Sequence, residues 1–273
     1  MTSGARVDAA NLLDIALEAA RAARDLVRAH ARDGVFVAAT KSTDVDIVTE
    51  ADRAAERLIR SQIATARPDD AFLGEEGDDV AGSTGVRWVI DPIDGTVNFL
   101  YGIAAYAVSI AAECEGGVVA GVVLNVATGE EYTAHQDGEQ IRACRQGQPI
   151  QVRASVPLGQ RLLSTGFGYD AVLRTHQAEA LVRLIPHIRD IRRLGSCALD
   201  LCAVAEGRLD GYFEEGVNLW DYAAGALIAR GAGASVEVTT GVGGGTLVLA
   251  APRAGFTETR DAIARAGFLK RET

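Results

Sequence analysis

The chain has 273 residues, of which 48% are hydrophobic and 23% are charged. These values are ordinary for a globular protein and exclude extensive disorder. The formal net charge of -10 repels phosphate backbones, which argues against nucleic acid as a partner. The sequence has no signal peptide and no apolar stretch long enough to span a bilayer, so we expect a soluble, cytoplasmic protein with no membrane partner.

The first half of the chain predicts two helices and one sheet. Apolar residues at helical spacing predict a helix over 8–32, and a second helix is predicted over roughly 50–66 with Thr49 as its cap. A short strand at 71–77 ends in acids and glycine, and a polar loop follows. The remaining strands of this sheet are predicted at 86–91, 105–114, 118–127 and 130–137.

The second half predicts alternating short strands and helices. Its glycine-rich segment TTGVGGGT (239–246) lies between apolar strands and lacks the GK[ST] ending of a phosphate loop, so we expect a turn there. We expect a single domain, 1–273, with subdomains of about 1–155 and 156–273 that meet near Pro149 and Pro157. The helices of this half are predicted at 175–188, 197–207, 220–234 and 257–266.

The segment WVIDPIDGTVNF (88–99) carries the strongest chemical pattern. Asp91 ends an apolar strand, Pro92 fixes the turn, and Asp94 brings a second carboxylate near the first. Gly95 permits close backbone approach, and Thr96 supplies a hydroxyl where a helix could start. Two neighbouring carboxylates suit a hard divalent cation with oxygen ligands. The same pattern also fits a capped acidic turn at a strand end, and the residues alone leave both interpretations open.

Three further acidic segments have the same two interpretations. Glu75 and Glu76 follow a short strand between glycines, and they fit either a cleft or an acidic surface turn. Asp221 fits the first turn of a helix, where an acid also complements the helix dipole. Asp52 has the same ambiguity. Because carboxylates and not histidines dominate the candidates, the pattern favours hard-metal hydrolysis over zinc or acyl-transfer chemistry.

Five segments occur in one order along nearly the whole chain and together resemble the inositol monophosphatase family. The resemblance implies an α+β fold, an αβαβα layered sandwich, and a homodimer. It also implies release of phosphate from a phosphorylated polyol, myo-inositol 1-phosphate first, with two to three Mg²⁺ ions per subunit and inhibition by lithium. The segments are KSTDVDIVTEAD, FLGEEG, WVIDPIDGTVNF, LGSCALDLCAVAEGRLDGYFEEG and WDYAAGALIA.

The resemblance also assigns metal ligands and catalytic residues. Glu75, Asp91 and the Ile93 carbonyl would hold a first magnesium ion, and Asp91, Asp94 and Asp221 a second. A third, weaker ion would use Glu75 through water. The attacking water would be oriented by Thr96, whose hydroxyl would pair with Asp52. Glu76 would lie behind them as a proton acceptor.

The substrate contacts follow from the same resemblance. The Gly95 and Thr96 amides would hold the phosphate beside Asp94. Glu214 would contact the polyol, although the adjacent Glu215 allows an error of one residue. Lys41 would lie on a loop near the metals. The small residues Gly195, Ser196 and Cys197 would face the polyol.

The metal motifs do not separate the branches of this family. Histidinol-phosphate, fructose-1,6-bisphosphate and nucleotide 3'-phosphatases share them, so the leaving group must be recognised by the second half of the chain. A bisphosphate would need a second basic pocket, whereas Arg192 and Arg193 are interpreted as dimer or surface residues. A non-catalytic regulator of the transcription machinery is the alternative from another class.

Overall fold

The structure is a computed structural model that describes residues 8–33, 37–40 and 47–270. Within these ranges no helix has both the length and the apolar character needed to cross a bilayer. All four cysteines are free. Cys197 and Cys202 are buried, and Cys114 and Cys144 are partly buried.

The helices of the described ranges begin where the sequence supplies caps. The Asp52 carboxylate accepts the Thr49 N–H at 2.9 Å, and the Thr49 hydroxyl accepts the Asp52 N–H at 3.3 Å, so the predicted Thr49 cap is confirmed as a capping box. Asp170 caps a later helix through the Leu173 N–H. The helices are α1 (Ala9–Asp33), α2 (Glu50–Ala66), α3 (Thr96–Tyr101), α4 (Ala171–Leu184), α5 (Cys197–Ala205), α6 (Leu219–Gly231) and α7 (Phe256–Ala266).

The strands of the described ranges form two large sheets and one small antiparallel pair, β1 with β2. They are β1 (Val37–Thr40), β2 (Ile47–Thr49), β3 (Ala71–Gly74), β4 (Val86–Asp94), β5 (Ala107–Cys114), β6 (Gly117–Asn125), β7 (Glu131–Asp137), β8 (Gln140–Arg145), β9 (Gln148–Pro149), β10 (Leu162–Thr165), β11 (Asp190–Arg192), β12 (Gly211–Glu215), β13 (Ala234–Thr240) and β14 (Thr246–Pro252). The first sheet has the order β3-β4-β5-β6-β7-β8-β9, and the second has the order β11-β10-β12-β14-β13.

Five layers stack in the order helix, sheet, helix, sheet, helix. Helices α1 and α2 bury Leu12 and Ile59 against Trp88 of the first sheet. Helices α5 and α6 fill the space between the two sheets. Helices α4 and α7 cover the outer face of the second sheet, where the rings of Phe213 and Phe268 lie 4.7 Å apart. The predicted αβαβα layered sandwich of the α+β class is therefore confirmed.

The central layer needs small side chains because the two sheets lie close to the helices between them. A Cβ atom at Gly121 of β6 would lie 3.0 Å from the Cα of Ala224 in α6. Close backbone approach of this kind explains why α6, whose sequence is rich in alanine and glycine, lies in the middle of the sandwich.

Three boundaries differ from the sequence prediction. The first sheet continues through β8 and β9, whose hairpin turns at Gln146 and Gly147 with φ of 50° and 72°. Helix α4 begins at Ala171 and not at 175, because Asp170 caps it, and it ends before Pro186 in a 3₁₀ turn. Strand β4 runs past Asp91 to Asp94, with an irregular register between these two residues.

Candidate active site

The end of β4 directs two carboxylates away from the regular ladder. The pairing of β4 with β5 shifts register between Asp91 and Asp94, as in a β-bulge. The Ile93 N–H donates to Asp91 Oδ1 at 3.0 Å and holds the turn. Gly95 follows with φ of 94°, and a Cβ atom there would lie 2.9 Å from the Ala105 carbonyl oxygen. Only glycine fits this position, which starts the short helix α3.

Thr96 and Asp52 meet although they lie 44 residues apart in the chain. The Thr96 hydroxyl is 3.1 Å from Asp52 Oδ1 and 3.0 Å from the Ile93 carbonyl oxygen. The Thr49 hydroxyl donates to the other oxygen of Asp52. Burial raises the pKa of Asp52 to about 6, and the charges of Glu75 and Glu76 add to the rise. The hydrogen bonds from Thr49 oppose this rise.

The carboxylates that line one cleft of about 500 Å³ include four that the sequence predicted as metal ligands, namely Glu75, Asp91, Asp94 and Asp221. Burial raises the pKa of Asp91 well above its ordinary value, and the charges of the other three raise it further. Asp221 belongs to the first turn of α6, where its Oδ2 accepts the Asn218 N–H at 2.6 Å. Burial, then the charges of Asp94 and Glu75, raise the pKa of Asp221.

The donor atoms of these side chains are of the type that binds a hard divalent cation, but the side chains are too far apart to bind one as they stand. Every donor is an oxygen, and burial and then the mutual charges of the carboxylates raise the pKa values of Asp91 and Asp221, which a divalent cation would offset. In the described part of the chain, however, no three acidic, histidine or cysteine side chains are spaced so that they could hold a metal ion as they stand. A bound cation would have to draw these carboxylates together.

The other end of the cleft is built by α5 and β12. Asp94 Oδ2 accepts the Ser196 hydroxyl at 2.6 Å and the Ala198 N–H at 2.7 Å. Burial raises the pKa of Asp94 to about 7 against the lowering effect of these bonds. Gly195 has φ of 89°, and the buried Cys197 lies two residues further along the chain. Burial raises the pKa of the Cys197 thiol well above its ordinary value, which keeps it a neutral lining group.

Glu214 is tightly packed beside this end. The Tyr212 hydroxyl lies 3.1 Å from Glu214 Oε2, and a Cβ atom at Gly166 would lie 1.9 Å from Glu214 Oε1. Burial raises the pKa of Glu214, and the charge of Arg193 opposes the rise. Arg193 is exposed, as the sequence analysis expected, but it also lines the cleft. The interpretation as a dimer or surface residue alone was therefore incomplete, because side-chain direction cannot be read from the sequence.

Of the other predicted residues, Glu76 does not line the cleft, and several lining residues were not predicted. Glu76 is half-buried, and its N–H donates to Glu56 Oε2 at 2.7 Å. Lys41 lies outside the described residues. Most of the missed residues follow β10 or β12, where the signals in the sequence are glycines and the helix-capping Asp170. They include Phe167, Tyr169, Asp170, Leu173 and Asn218. Glu215, which the sequence offered only as the alternative to Glu214, also lines the cleft.

Comparison with known proteins identifies the family that shares this arrangement. The model of the inositol monophosphatase family matches residues 8–266. The chain belongs to the inositol monophosphatase family. Members of this family are phosphatases, so the chain is assigned to the phosphatases.

Two relatives and one solved structure illustrate the match. The chain is 48% identical over 235 residues to an inositol-1-monophosphatase SuhB of Mycobacterium tuberculosis, covering 84% of this chain and 81% of the relative. It is 40% identical over 250 residues to a Nus factor SuhB of Pasteurella multocida, covering 89% and 92%. The solved structure of Mycobacterium tuberculosis SuhB superposes with a TM-score of 0.83 at 42% identity, covering 97% of this chain and 100% of that one.

Proposed function

We propose that this chain is a magnesium-dependent phosphomonoester hydrolase that releases phosphate from myo-inositol 1-phosphate by attack of water. One observation carries the proposal, namely the convergence of Glu75, Asp91, Asp94 and Asp221 on a cleft that also contains Thr96 and Glu214. Four carboxylates in one cleft repel a phosphate unless cations lie between them. The site therefore makes chemical sense for a phosphate ester only with divalent metal bound.

The proposed metal ligands divide between the two magnesium positions. Glu75, Asp91 and the Ile93 carbonyl oxygen would hold one ion, and Asp91, Asp94 and Asp221 the other, with a third, weaker position at Glu75. Bound magnesium would lower the pKa of a water molecule and neutralise charge on the phosphate and on the leaving oxygen.

Thr96 and Asp52 would orient the attacking water. At neutral pH Asp52 is mostly ionised, because its raised pKa of about 6 still lies below 7. The ionised carboxylate accepts a hydrogen bond from the Thr96 hydroxyl, which would direct the lone pairs of that oxygen toward the cleft. Glu76, whose charge acts on Asp52, would help to take up the proton that the water loses. The amides of Gly95 and Thr96 would bind the phosphate.

The polyol would lie against α5 and β12. Ser196 holds Asp94 in place, while Gly195 and Cys197 leave room for a ring beside it. Glu214 would accept hydrogen bonds from the polyol hydroxyls, which is the contact expected of a carboxylate facing a hydroxylated leaving group. The relative from Mycobacterium tuberculosis bears the name inositol-1-monophosphatase, which supports the choice of substrate.

The test is phosphate release at millimolar magnesium, with and without lithium, from a small panel. The panel contains inositol 1-phosphate, fructose 1,6-bisphosphate, histidinol phosphate and adenosine 3',5'-bisphosphate. We expect the highest kcat/KM for inositol 1-phosphate and inhibition by lithium. Preference for another member would retain the hydrolase and reject the proposed substrate, and absence of magnesium-dependent release from all of them would reject the hydrolase.

Glu214→Ala separates recognition of the polyol from hydrolysis. We expect a higher KM for inositol 1-phosphate and unchanged turnover of an aryl phosphate, because an aryl group offers no hydroxyls to Glu214. Glu113→Ala is the control, since that carboxylate lies on β5 and pairs with Arg87. Equal losses on both substrates would remove Glu214 from the polyol contact.

A role in the transcription machinery is the second candidate, because one relative at 40% identity is named a Nus factor. Stable, stoichiometric co-purification with RNA polymerase would support it. We also propose that the chain forms a homodimer, as the family resemblance implies. Sedimentation at the mass of a single chain, 28.6 kDa, would contradict the dimer.

A further inference from the structure

The carboxylate of Glu215 lies beneath a glycine-rich hairpin tip, residues 241–245, which joins β13 to β14. Glu215 is 2% exposed, and its Oε1 accepts the Gly245 N–H at 3.1 Å. Burial raises the pKa of Glu215, and the backbone amides of residues 242–245 oppose that rise. The Gly245 N–H therefore holds one oxygen of a buried carboxylate, and such charge-assisted hydrogen bonds are among the stronger ones. The other oxygen, Oε2, is buried without a hydrogen-bond partner in the described part of the chain.

The glycines of the hairpin tip match the shape of this carboxylate. A Cβ atom at Gly241 would lie 2.1 Å from Glu215 Cδ. A Cβ atom at Gly243 would lie 3.0 Å from Glu215 Oε1 and 2.6 Å from Leu173 Cδ1. A Cβ atom at Gly245 would lie 3.6 Å from Glu215 Oε1, which is an ordinary van der Waals distance. Side chains at 241 or 243 would push the hairpin tip away from Glu215.

Leu173 connects the hairpin tip to the wall of the cleft. Leu173 and Glu215 both line the cleft, together with Gly168 and Tyr169. A Cβ atom at Gly168 would lie 2.9 Å from Leu173 Cδ2, so the backbone of the wall at Gly168 packs closely against the Leu173 side chain. The Gly168 N–H donates to the buried Gln177 side chain of α4 at 3.0 Å, which fixes the wall from behind. Glu215 also follows Glu214 directly at the end of β12.

We propose that Glu215 is a positioning residue for recognition of the leaving group. By anchoring the hairpin tip, it holds Leu173 and the wall formed by Gly168 and Tyr169 against the side of the cleft that contains Glu214. This inference rests on the function proposed above. A polyol is recognised through the direction of its hydroxyl hydrogen bonds, so its binding depends on a rigid wall. A flat aryl phosphate is held mainly through its phosphate and depends on the wall much less.

The experiment compares Glu215→Ala and Glu215→Gln with Glu237→Gln, a carboxylate of β13 that pairs with Arg260 outside the cleft. For Glu215→Ala we expect KM for inositol 1-phosphate to rise about tenfold while kcat on an aryl phosphate changes less than about twofold. Amide hydrogen exchange at Gly245 should rise about tenfold, because the carboxylate that accepts its N–H is lost. Glu215→Gln should show smaller changes of both kinds, and Glu237→Gln none.

A steric pair tests the same contact without removing the carboxylate. Gly243→Ala places a methyl group against Glu215 and Leu173, so it should reproduce the rise in KM, whereas Gly245→Ala should have a smaller effect. Unchanged hydrogen exchange in the Glu215 variants would overturn the anchoring. Raised exchange with unchanged KM would overturn the role in recognition. If the wild-type protein hydrolyses none of the esters, the proposed function fails, and the exchange data still decide whether Glu215 anchors the tip.

Discussion

Asp94 connects the two ends of the cleft through a single side chain. Asp94 is the last residue of β4, where the register is irregular, and its side chain lines the cleft with Glu75, Asp91 and Asp221. Its carboxylate accepts hydrogen bonds from Ser196 and Ala198 at the start of α5. Under the proposed function, a residue with partners on both sides would hold a metal ion and set the distance between that ion and the polyol. Substitution of Asp94 is therefore expected to affect both metal binding and substrate binding.

Asp94→Asn should reduce kcat below detection and weaken magnesium binding. The asparagine oxygen can still accept the Ser196 and Ala198 bonds, so the fold should persist while the charge needed by the metal is lost. Turnover and magnesium titration calorimetry measure the two effects. Asp137→Asn, at an exposed carboxylate of β7 paired with Arg142, is the control. Normal turnover in Asp94→Asn would reject the assignment of the metal ligands.

Thr96→Ala should lower kcat about tenfold with little change in KM, because only the orientation of water is lost. Thr96→Ser retains the hydroxyl that lies 3.1 Å from Asp52, so it should recover most of the activity. The measurement is steady-state kinetics on inositol 1-phosphate for the three proteins. If alanine and serine behave alike, the hydroxyl has no part in hydrolysis.

At the scale of elements, a polar network fixes the strand that carries Glu75. Asp70 is buried between α2 and β3 and accepts bonds from Arg67 at 2.8 Å and from the Trp88 indole at 2.9 Å. The Thr84 hydroxyl is a further donor. Burial alone would raise the pKa of Asp70, but these bonds outweigh it and lower the pKa. Because the network joins β3 to β4, Glu75, which directly follows β3, lies beside Asp91 of β4.

Asp70→Ala should lower the free energy of unfolding by about 2 kcal/mol at neutral pH, because it leaves buried donors without an acceptor. Since the folded-state pKa is lowered, this contribution is present above the ordinary value of 3.8 and is lost as the pH falls through the folded-state pKa. Urea unfolding at several pH values measures the difference from wild type. Asp69→Ala, its exposed neighbour, is the control. A difference that grows toward acid pH would contradict the ionised role.

At the scale of the whole molecule, the cleft is assembled from layers that are distant in sequence. Glu75, Asp91 and Asp94 come from the first sheet, Asp221 from the central helix α6, and Glu214 from the second sheet. Folding therefore buries these acidic groups close together, and burial, then the charges of the neighbouring carboxylates, raise the pKa values of Asp91 and Asp221. A ligand that neutralises the group binds only the folded state and must stabilise it.

Magnesium should raise the melting temperature of the protein in a saturable manner, and a chelator should reverse the effect. The reason is that the cation relieves repulsion that exists only in the folded chain. Differential scanning calorimetry over a magnesium series measures the shift, with potassium at matched ionic strength as the control. Asp94→Asn should lose most of the shift. An equal shift with potassium would indicate general screening and contradict a specific metal site.

Much of the architecture could be predicted from local patterns. The spacing of apolar residues predicted α1 and α2 nearly to the residue, and Thr49 was recognisable as a cap. The start of α4 was missed because Asp170 was not recognised as its cap. Segment 239–246 was predicted correctly as a turn, but its contact with Glu215 was not. That contact joins elements far apart in the chain.

The resemblance carried by DPIDGT and by the order of the family segments identified the family and implied its layered fold. Local patterns by themselves predicted strand ends, caps and tight turns, because these depend on a few adjacent residues. The distance between Asp52 and Thr96, the position of Arg193 in the lining of the cleft, and the hydrogen bond between Glu215 and the hairpin tip are seen only in the folded structure. Such contacts depend on how whole layers pack, and a linear sequence does not contain the distances between layers.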